Sequence, residues 1–367
     1  MSSSSIGFDL AGLNRYPDPH QHTLKQLLCN LRNTKVHTSK AISPENLFVG
    51  VGSDEAIDAL LRCFCCPGVD KILVCPPTYG MYSVSAQVND VGLVKVPLTA
   101  GPDFALDVPA INKALDEDKD IKLIYICSPG NPTASLIPKE QVEAILAHRT
   151  YNGIVVLDEA YIDFAPEGSS MAEMVAEYEN LVVMQTLSKA FGLAGIRLGA
   201  AFCAPPVAAL LNALKAPYNI SSPTSELASN AVSEAGLAVM RKNVKMINEQ
   251  RQRLIAELPR VNGVGRFRGG EASNFLLVEM LNEQGKPDNV TALAVYERLA
   301  ENRGVVVRFR GKEHGCEGCL RITVGTGEEC TRFLKELGQV IQEIHREHAA
   351  PAQDEAKKEK EQSDAIP

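Results

Sequence analysis

From about residue 48 to residue 204 the chain alternates short apolar runs with longer amphipathic stretches. The runs at 71–75, 122–127, 154–157 and 181–186 are rich in Val, Ile and Leu, the run at 198–203 is Leu-Gly-Ala-Ala-Phe-Cys, and all five have the length of strands. Runs without polar alternation suit strands covered on both faces, so the pattern predicts an α/β fold with a mainly parallel central sheet. Residues 225–258 then carry helical periodicity, read as one long amphipathic helix leaving the sheet. Beyond it, 273–279, 305–308 and 320–324 read as strands of a smaller α+β domain. The expected organisation is an N-terminal segment 1–40, a large domain 41–240, a small C-terminal domain 241–348 and a tail 349–367. That tail, rich in Glu, Lys and Gln with almost nothing to bury, is expected to be disordered.

Composition narrows the function. Apolar content of 45% and charged content of 22% are those of an ordinary globular chain. A net charge of −8 with no basic run argues against nucleic acid as a partner. No apolar run reaches the roughly 18 residues that span a bilayer, and residues 1–6 lack a basic segment followed by an apolar core, so a cytoplasmic location is expected. The ten cysteines read as reduced thiols. Cys316-Glu317-Gly318-Cys319 has metal or redox spacing but no second pair, so no metal site is expected. His345 and His348 share a helix face and read as solvated.

Chemistry collects where the apolar runs end. After 181–187 comes Ser188-Lys189-Ala190-Phe191-Gly192, with Arg197 eight positions beyond the lysine. A lysine at the carboxyl edge of an open sheet, beside a cation, is placed to form a Schiff base. Run 154–157 ends in Asp158-Glu159-Ala160-Tyr161, and run 122–127 in Ser128-Pro129-Gly130-Asn131-Pro132. Run 71–75 ends in Pro76-Pro77-Thr78-Tyr79-Gly80-Met81-Tyr82, and Gly50 to Glu55 opens a helix whose free N–H groups form an anion site. Taken singly, Lys189 reads as a loop lysine, Asp158 as a helix cap, Asn131 as a turn residue and Tyr79 as core. Together they supply an amine for an aldehyde, a carboxylate for a pyridinium, a donor for a phenolic oxygen, a ring to stack and a phosphate cup. Those are the requirements of pyridoxal 5'-phosphate.

The order and spacing of these segments resemble fold-type I aminotransferases, which implies a large domain with a mainly parallel seven-stranded sheet flanked by helices and a smaller α+β C-terminal domain. Asn14-Arg15-Tyr16-Pro17-Asp18-Pro19, Pro76 to Tyr82, Ser188-Lys189-Ala190-Phe191 and Cys319-Leu320-Arg321-Ile322-Thr323-Val324-Gly325 look like the histidinol-phosphate aminotransferase family in particular. The resemblance implies a catalytic set of Lys189, Asp158 and Tyr79: Lys189 bonds the cofactor aldehyde, Asp158 pairs with the pyridine nitrogen and Tyr79 stacks on the ring. It also implies that Asn131 and Tyr161 hold the phenolic oxygen. Ser53, Asp54, Ser188 and Arg197 would hold the phosphate, with Tyr16 reaching in from the second subunit of a homodimer. Arg321, with Arg308 or else Arg310, would bind the substrate's phosphate or carboxylate, with Asn131 and Tyr16 also on the substrate side. The implied reaction passes the amino group of L-histidinol phosphate to 2-oxoglutarate, giving imidazole acetol phosphate and glutamate in histidine biosynthesis. A lyase acting on a phosphorylated amino acid and a cofactor binder of little activity are the alternatives.

Two departures from the family pattern stand out. An acidic Asn-Glu-Asn-Pro-Tyr-Gly-like stretch is expected ahead of Asn14-Arg15-Tyr16-Pro17, and only residues 1–12 stand there, so the start reads as shortened and a substrate lid as missing. Ala134 stands where a glycine is commoner, a change expected to be tolerated.

Overall fold

The computed structural model describes residues 12–363, with side chains to 347. The expected lid segment therefore lies outside the described residues. The chain divides into two compact units, Met1–Lys245 with Gly270–Ser273, and Met246–Gly269 with Asn274–Pro367. The division falls within a helix, past the expected boundary at 240/241, and returns 270–273 to the first unit.

The first unit is built on strands β1 (Leu47–Val51), β2 (Lys71–Val74), β3 (Gly92–Lys95), β4 (Ile121–Cys127), β5 (Ile154–Asp158), β6 (Leu181–Thr186) and β7 (Leu198–Cys203). Their order in the sheet is β1-β7-β6-β5-β4-β2-β3. β7 runs antiparallel to both neighbours, and every other pairing is parallel. β5, β6 and β7 are buried at every position, the reason their sequences show no polar alternation. Helices α1 (His22–Arg32), α2 (Gly52–Phe64), α3 (Met81–Val88), α4 (Val108–Glu117), α5 (Lys139–Leu146), α6 (Pro205–Leu214) and α7 (Ser222–Ala231) accompany the sheet. One side of the core packs Ile57, Leu60 and Leu61 of α2 with Phe48, Val156, Val182 and Tyr125 of the strands. Parallel strands joined by crossovers bring the carboxyl ends of β1, β2, β4, β5 and β6 to one edge.

The single helix expected over 225–258 is two. α7 stops at Ala231, and α8 (Glu234–Glu257) starts afresh. Ser233 lies at the break, its carbonyl accepting from the Leu237 N–H at 2.8 Å and its hydroxyl from the Gly236 N–H at 3.3 Å. A serine competing for backbone N–H groups favours a helix start over a helix interior.

The second unit carries a four-stranded sheet of β8 (Val264–Arg268), β9 (Phe275–Met280), β10 (Arg308–Phe309) and β11 (Cys319–Thr323) in the order β10-β11-β9-β8. Helices α9 (Asn289–Arg303) and α10 (Gly327–Ser363) pack with it around Leu276, Val278, Val295, Leu320, Ile322, Leu337 and Ile341. The strand expected over 305–308 shrinks to two residues. The segment expected to lack structure is continuous with α10 as far as Ser363, while 364–367 lie outside the described residues. Ala, Glu, Lys and Gln bury little yet are good helix formers, so a composition poor in core residues still permits a helix. His345 is not simply solvated: its Nε2 lies 3.0 Å from the Leu281 carbonyl oxygen. All ten cysteines are free thiols, and Cys316 and Cys319 are buried. Burial pushes the Cys316 thiol up to about 12.

Candidate active site

At the carboxyl edge of the large sheet lies a pocket lined by residues from five segments, among them Ser53, Asp54, Tyr79, Asn131, Asp158, Tyr161, Ser188, Lys189 and Arg197. These segments are far apart in sequence, and the parallel topology alone brings them together.

Asp158 is the last residue of β5, paired in register with Cys127 of β4 and Met184 of β6, and is 2% exposed. Burial pushes its carboxyl above the ordinary range. The Tyr82 hydroxyl donating to Oδ2 at 2.6 Å and the Ala160 N–H donating to Oδ1 at 3.0 Å pull it back, and Lys189 acts in the same direction. Tyr82 is wholly buried, stacked on Tyr125 at 4.7 Å and edge-on to Tyr79 at 5.5 Å. The sequence singled out Tyr79 and left Tyr82 among the aromatics, because no local signal ties it to a carboxylate 76 positions away.

Lys189 projects from the turn after β6, its Nζ 5.4 Å from the centre of the Tyr161 ring. Beneath it, the Thr186 hydroxyl accepts from the Ser188 N–H at 3.1 Å and donates to the Ser188 hydroxyl at 2.9 Å. Burial and the neighbouring Asp54 push the Tyr79 hydroxyl up, and it donates to Asp54 Oδ1 at 3.2 Å.

Arg197 spans the mouth. Its guanidinium reaches Asp54 Oδ2 at 3.3 Å and the Ser188 hydroxyl at 3.4 Å. Gly52 opens α2 with a φ of +73°, and a Cβ there would stand 2.5 Å from an Arg197 nitrogen. Glycine is therefore required for the helix start and the arginine to occupy one corner. The first-turn N–H groups of α2, the Ser188 hydroxyl and Arg197 converge as an anion cradle. The sequence did not anticipate that the Asp54 carboxylate also belongs to this corner, held by Arg197 and Tyr79.

Tyr16 is 81% exposed and stacks on Tyr218 with ring centres 4.7 Å apart. It does not line the pocket of its own chain. In the second unit, Arg308 and Arg321 stand directly opposite each other in the β10–β11 register, and Arg321 lies over the Phe275 ring at 4.9 Å. Arg310 donates to Glu313 at 2.7 Å.

Chemically, the pocket offers an amine, a buried carboxylate that a cation would satisfy, and an anion cradle. The residues present fit a pyridine aldehyde bearing a phosphate. Residues 9–337 match the model of the class I and II aminotransferases. Along 344 residues, 93% of this chain and 89% of its relative, the sequence is 52% identical to a histidinol-phosphate aminotransferase of Schizosaccharomyces pombe. The chain belongs to the histidinol-phosphate aminotransferase family. A relative of the same name from Candida maltosa is 51% identical over 338 residues, 91% of this chain and 86% of the relative. Among solved structures, histidinol-phosphate aminotransferase from Sinorhizobium meliloti in complex with pyridoxal-5'-phosphate aligns with a TM-score of 0.78 at 24% identity. That alignment covers 90% of this chain and 84% of the other. The architecture expected of the family, a mainly parallel seven-stranded sheet flanked by helices, is the one observed. No helix among the described residues is long and apolar enough to cross a membrane.

Proposed function

We propose that this protein is a pyridoxal 5'-phosphate-dependent transaminase that moves the amino group of L-histidinol phosphate to 2-oxoglutarate, a step of histidine biosynthesis carried out in the cytoplasm by a homodimer. The observation that carries the reading is the convergence of Lys189, Asp158, Tyr161, Asn131 and Arg197 on one pocket at the sheet edge. The family relationship supports the substrate.

When bound, the cofactor supplies an electron sink for the carbanion left by loss of a proton from the substrate carbon. The chain's own groups do the rest. Lys189 would hold the cofactor aldehyde, and its amine would take the proton from the substrate carbon and return it, as general base and acid. Asp158 keeps the pyridine nitrogen protonated, since a buried carboxylate favours a cation beside it. Asn131 and Tyr161 hold the phenolic oxygen, and Tyr79 covers the ring. The N–H groups of Ser53 and Asp54, with Ser188 and Arg197, hold the phosphate. Tyr16 reaches the partner's site. Arg321 binds the substrate's anionic group, and Arg308, its register partner, is the second arginine, because Arg310 is engaged by Glu313.

The test omits the acceptor. Purified protein mixed with histidinol phosphate should convert its bound cofactor to the amine form, seen by absorbance, and 2-oxoglutarate should reverse the change. Conversion by tyrosine but not by histidinol phosphate would overturn the substrate. Release of carbon dioxide from a phosphorylated amino acid would move the protein to the lyases.

A further inference from the structure

Glu159, the residue after Asp158, does not line the pocket, yet it is 1% exposed and densely bonded. Its Oε1 accepts from the Met171 N–H at 2.6 Å, and its Oε2 accepts from the Ser170 hydroxyl at 2.6 Å and from Gln185 Nε2 at 2.8 Å. Gln185, 6% exposed on β6, accepts at Oε1 from Arg32 Nε at 2.8 Å. Arg32, from the last turn of α1, closes the chain on Asp163 at 2.8 Å.

We propose that Glu159, Gln185 and Arg32 are positioning residues: a relay whose hydrogen-bond polarity fixes the ends of β5 and β6, and with them Asp158 and Lys189. The proposal rests on the reading of the neighbouring pocket as the cofactor site. Glu159 accepts at both of its oxygens, and the Arg32 guanidinium only donates. Between them the Gln185 amide has a single orientation, its nitrogen toward Glu159 and its oxygen toward Arg32. Reversing it would set donor against donor at Arg32 and acceptor against acceptor at Glu159.

The relay reaches the pocket through short backbone paths. The Glu159 N–H donates to the Met184 carbonyl at 2.8 Å, tying the end of β5 to β6 just beyond Asp158. Gln185 precedes Thr186, whose hydroxyl organises Ser188 immediately before Lys189. Nothing about burial asks for this charge: an apolar set of the same volume would hold the two strands at least as well. What an alternating donor–acceptor chain adds is one geometry in place of several.

Three variants test the relay in the cofactor-loaded protein: Glu159→Gln, Gln185→Glu, and the two combined. The first puts an amide where only acceptors fit, and the second buries two carboxylates face to face. The combination restores complementarity, because a carboxylate at 185 accepts from Arg32 and an amide at 159 donates to it. Each single variant should lower kcat roughly tenfold, the scale of a small misplacement of reacting groups. Each should also shift the pH at which the absorbance of the cofactor bound to Lys189 titrates, and the double variant should recover both. The relay is wrong if the double variant is no better than the product of the singles. It is equally wrong if the singles lower only the melting temperature and leave the titration and kcat unmoved. A wild type that binds cofactor but ignores histidinol phosphate would sink the substrate assignment alone, because the titration still reads the relay.

Discussion

Burial and hydrogen bonding act on the Asp158 carboxyl in opposite directions, and burial is the larger effect. The Tyr82 hydroxyl and the Ala160 N–H together lower a carboxyl that the surrounding sheet raises. Tyr82→Phe removes the shorter of these bonds with little change of volume, so the carboxyl should rise further. The catalytic form is the ionised one, and therefore the acid limb of the pH–rate profile should move to higher pH; a limb that stays in place would exclude the role. Lys25 behaves differently. It is 7% exposed, and burial lowers its amine to about 8. A lysine with a depressed folded pKa costs stability below that value, and the cost disappears as pH climbs from about 8 toward the unfolded value of 10.5. Lys25→Met should thus stabilise the protein at pH 7 and do so much less above pH 10, read by urea unfolding at the two pH values. Ala134 illustrates a residue whose sequence oddity has a backbone cause. Its φ of +54° explains why a glycine is commoner there, and the strain is the 1–2 kcal/mol or so of a left-handed residue, small enough to bear.

At the scale of elements, the start of α2 and the turn after β6 make one unit. The Gly52 N–H donates to the Arg197 carbonyl at 3.0 Å, and the Arg197 guanidinium fills the space a Gly52 side chain would need. Gly52→Ala should displace that guanidinium and weaken cofactor affinity by roughly tenfold or more, the loss of one charge-assisted phosphate contact. It should also lower the melting temperature through the left-handed φ. Unchanged cofactor affinity in a cofactor titration would show that Arg197 does not hold the phosphate. In the smaller sheet, β10 and β11 place Arg308 opposite Arg321. Arg321→Lys should raise KM for histidinol phosphate by roughly tenfold with a lesser effect on kcat, since lysine lacks the planar fork. Arg310→Lys should leave KM nearly unchanged in the same steady-state measurement. The elements themselves were legible to different degrees. Strands buried on both faces, such as β5 and β6, announced themselves as unbroken apolar runs. The break between α7 and α8 did not, because helical periodicity continues across it and a single serine decides the stop.

For the whole molecule, the sequence by itself determined the class of chemistry. Lys189, Asp158, Asn131 and Tyr79 each come just after an apolar run, and parallel strands deliver the residues at their carboxyl ends to one edge, so the pocket's membership was implicit in a one-dimensional pattern. The proposed homodimer should sediment at twice the chain mass, and a monomer that nevertheless turns over at full rate would exclude the role given to Tyr16. What only the tertiary structure decided were contacts between residues distant in the chain and silent locally. They include Tyr82 on Asp158, Asp54 between Arg197 and Tyr79, the reversed direction of β7, and the chain from Arg32 through Gln185 to Glu159. Apolar periodicity records which residues are buried, because burial repeats with the period of the element. A hydrogen bond between two buried side chains has no period, so its partner appears only when the strands are in register.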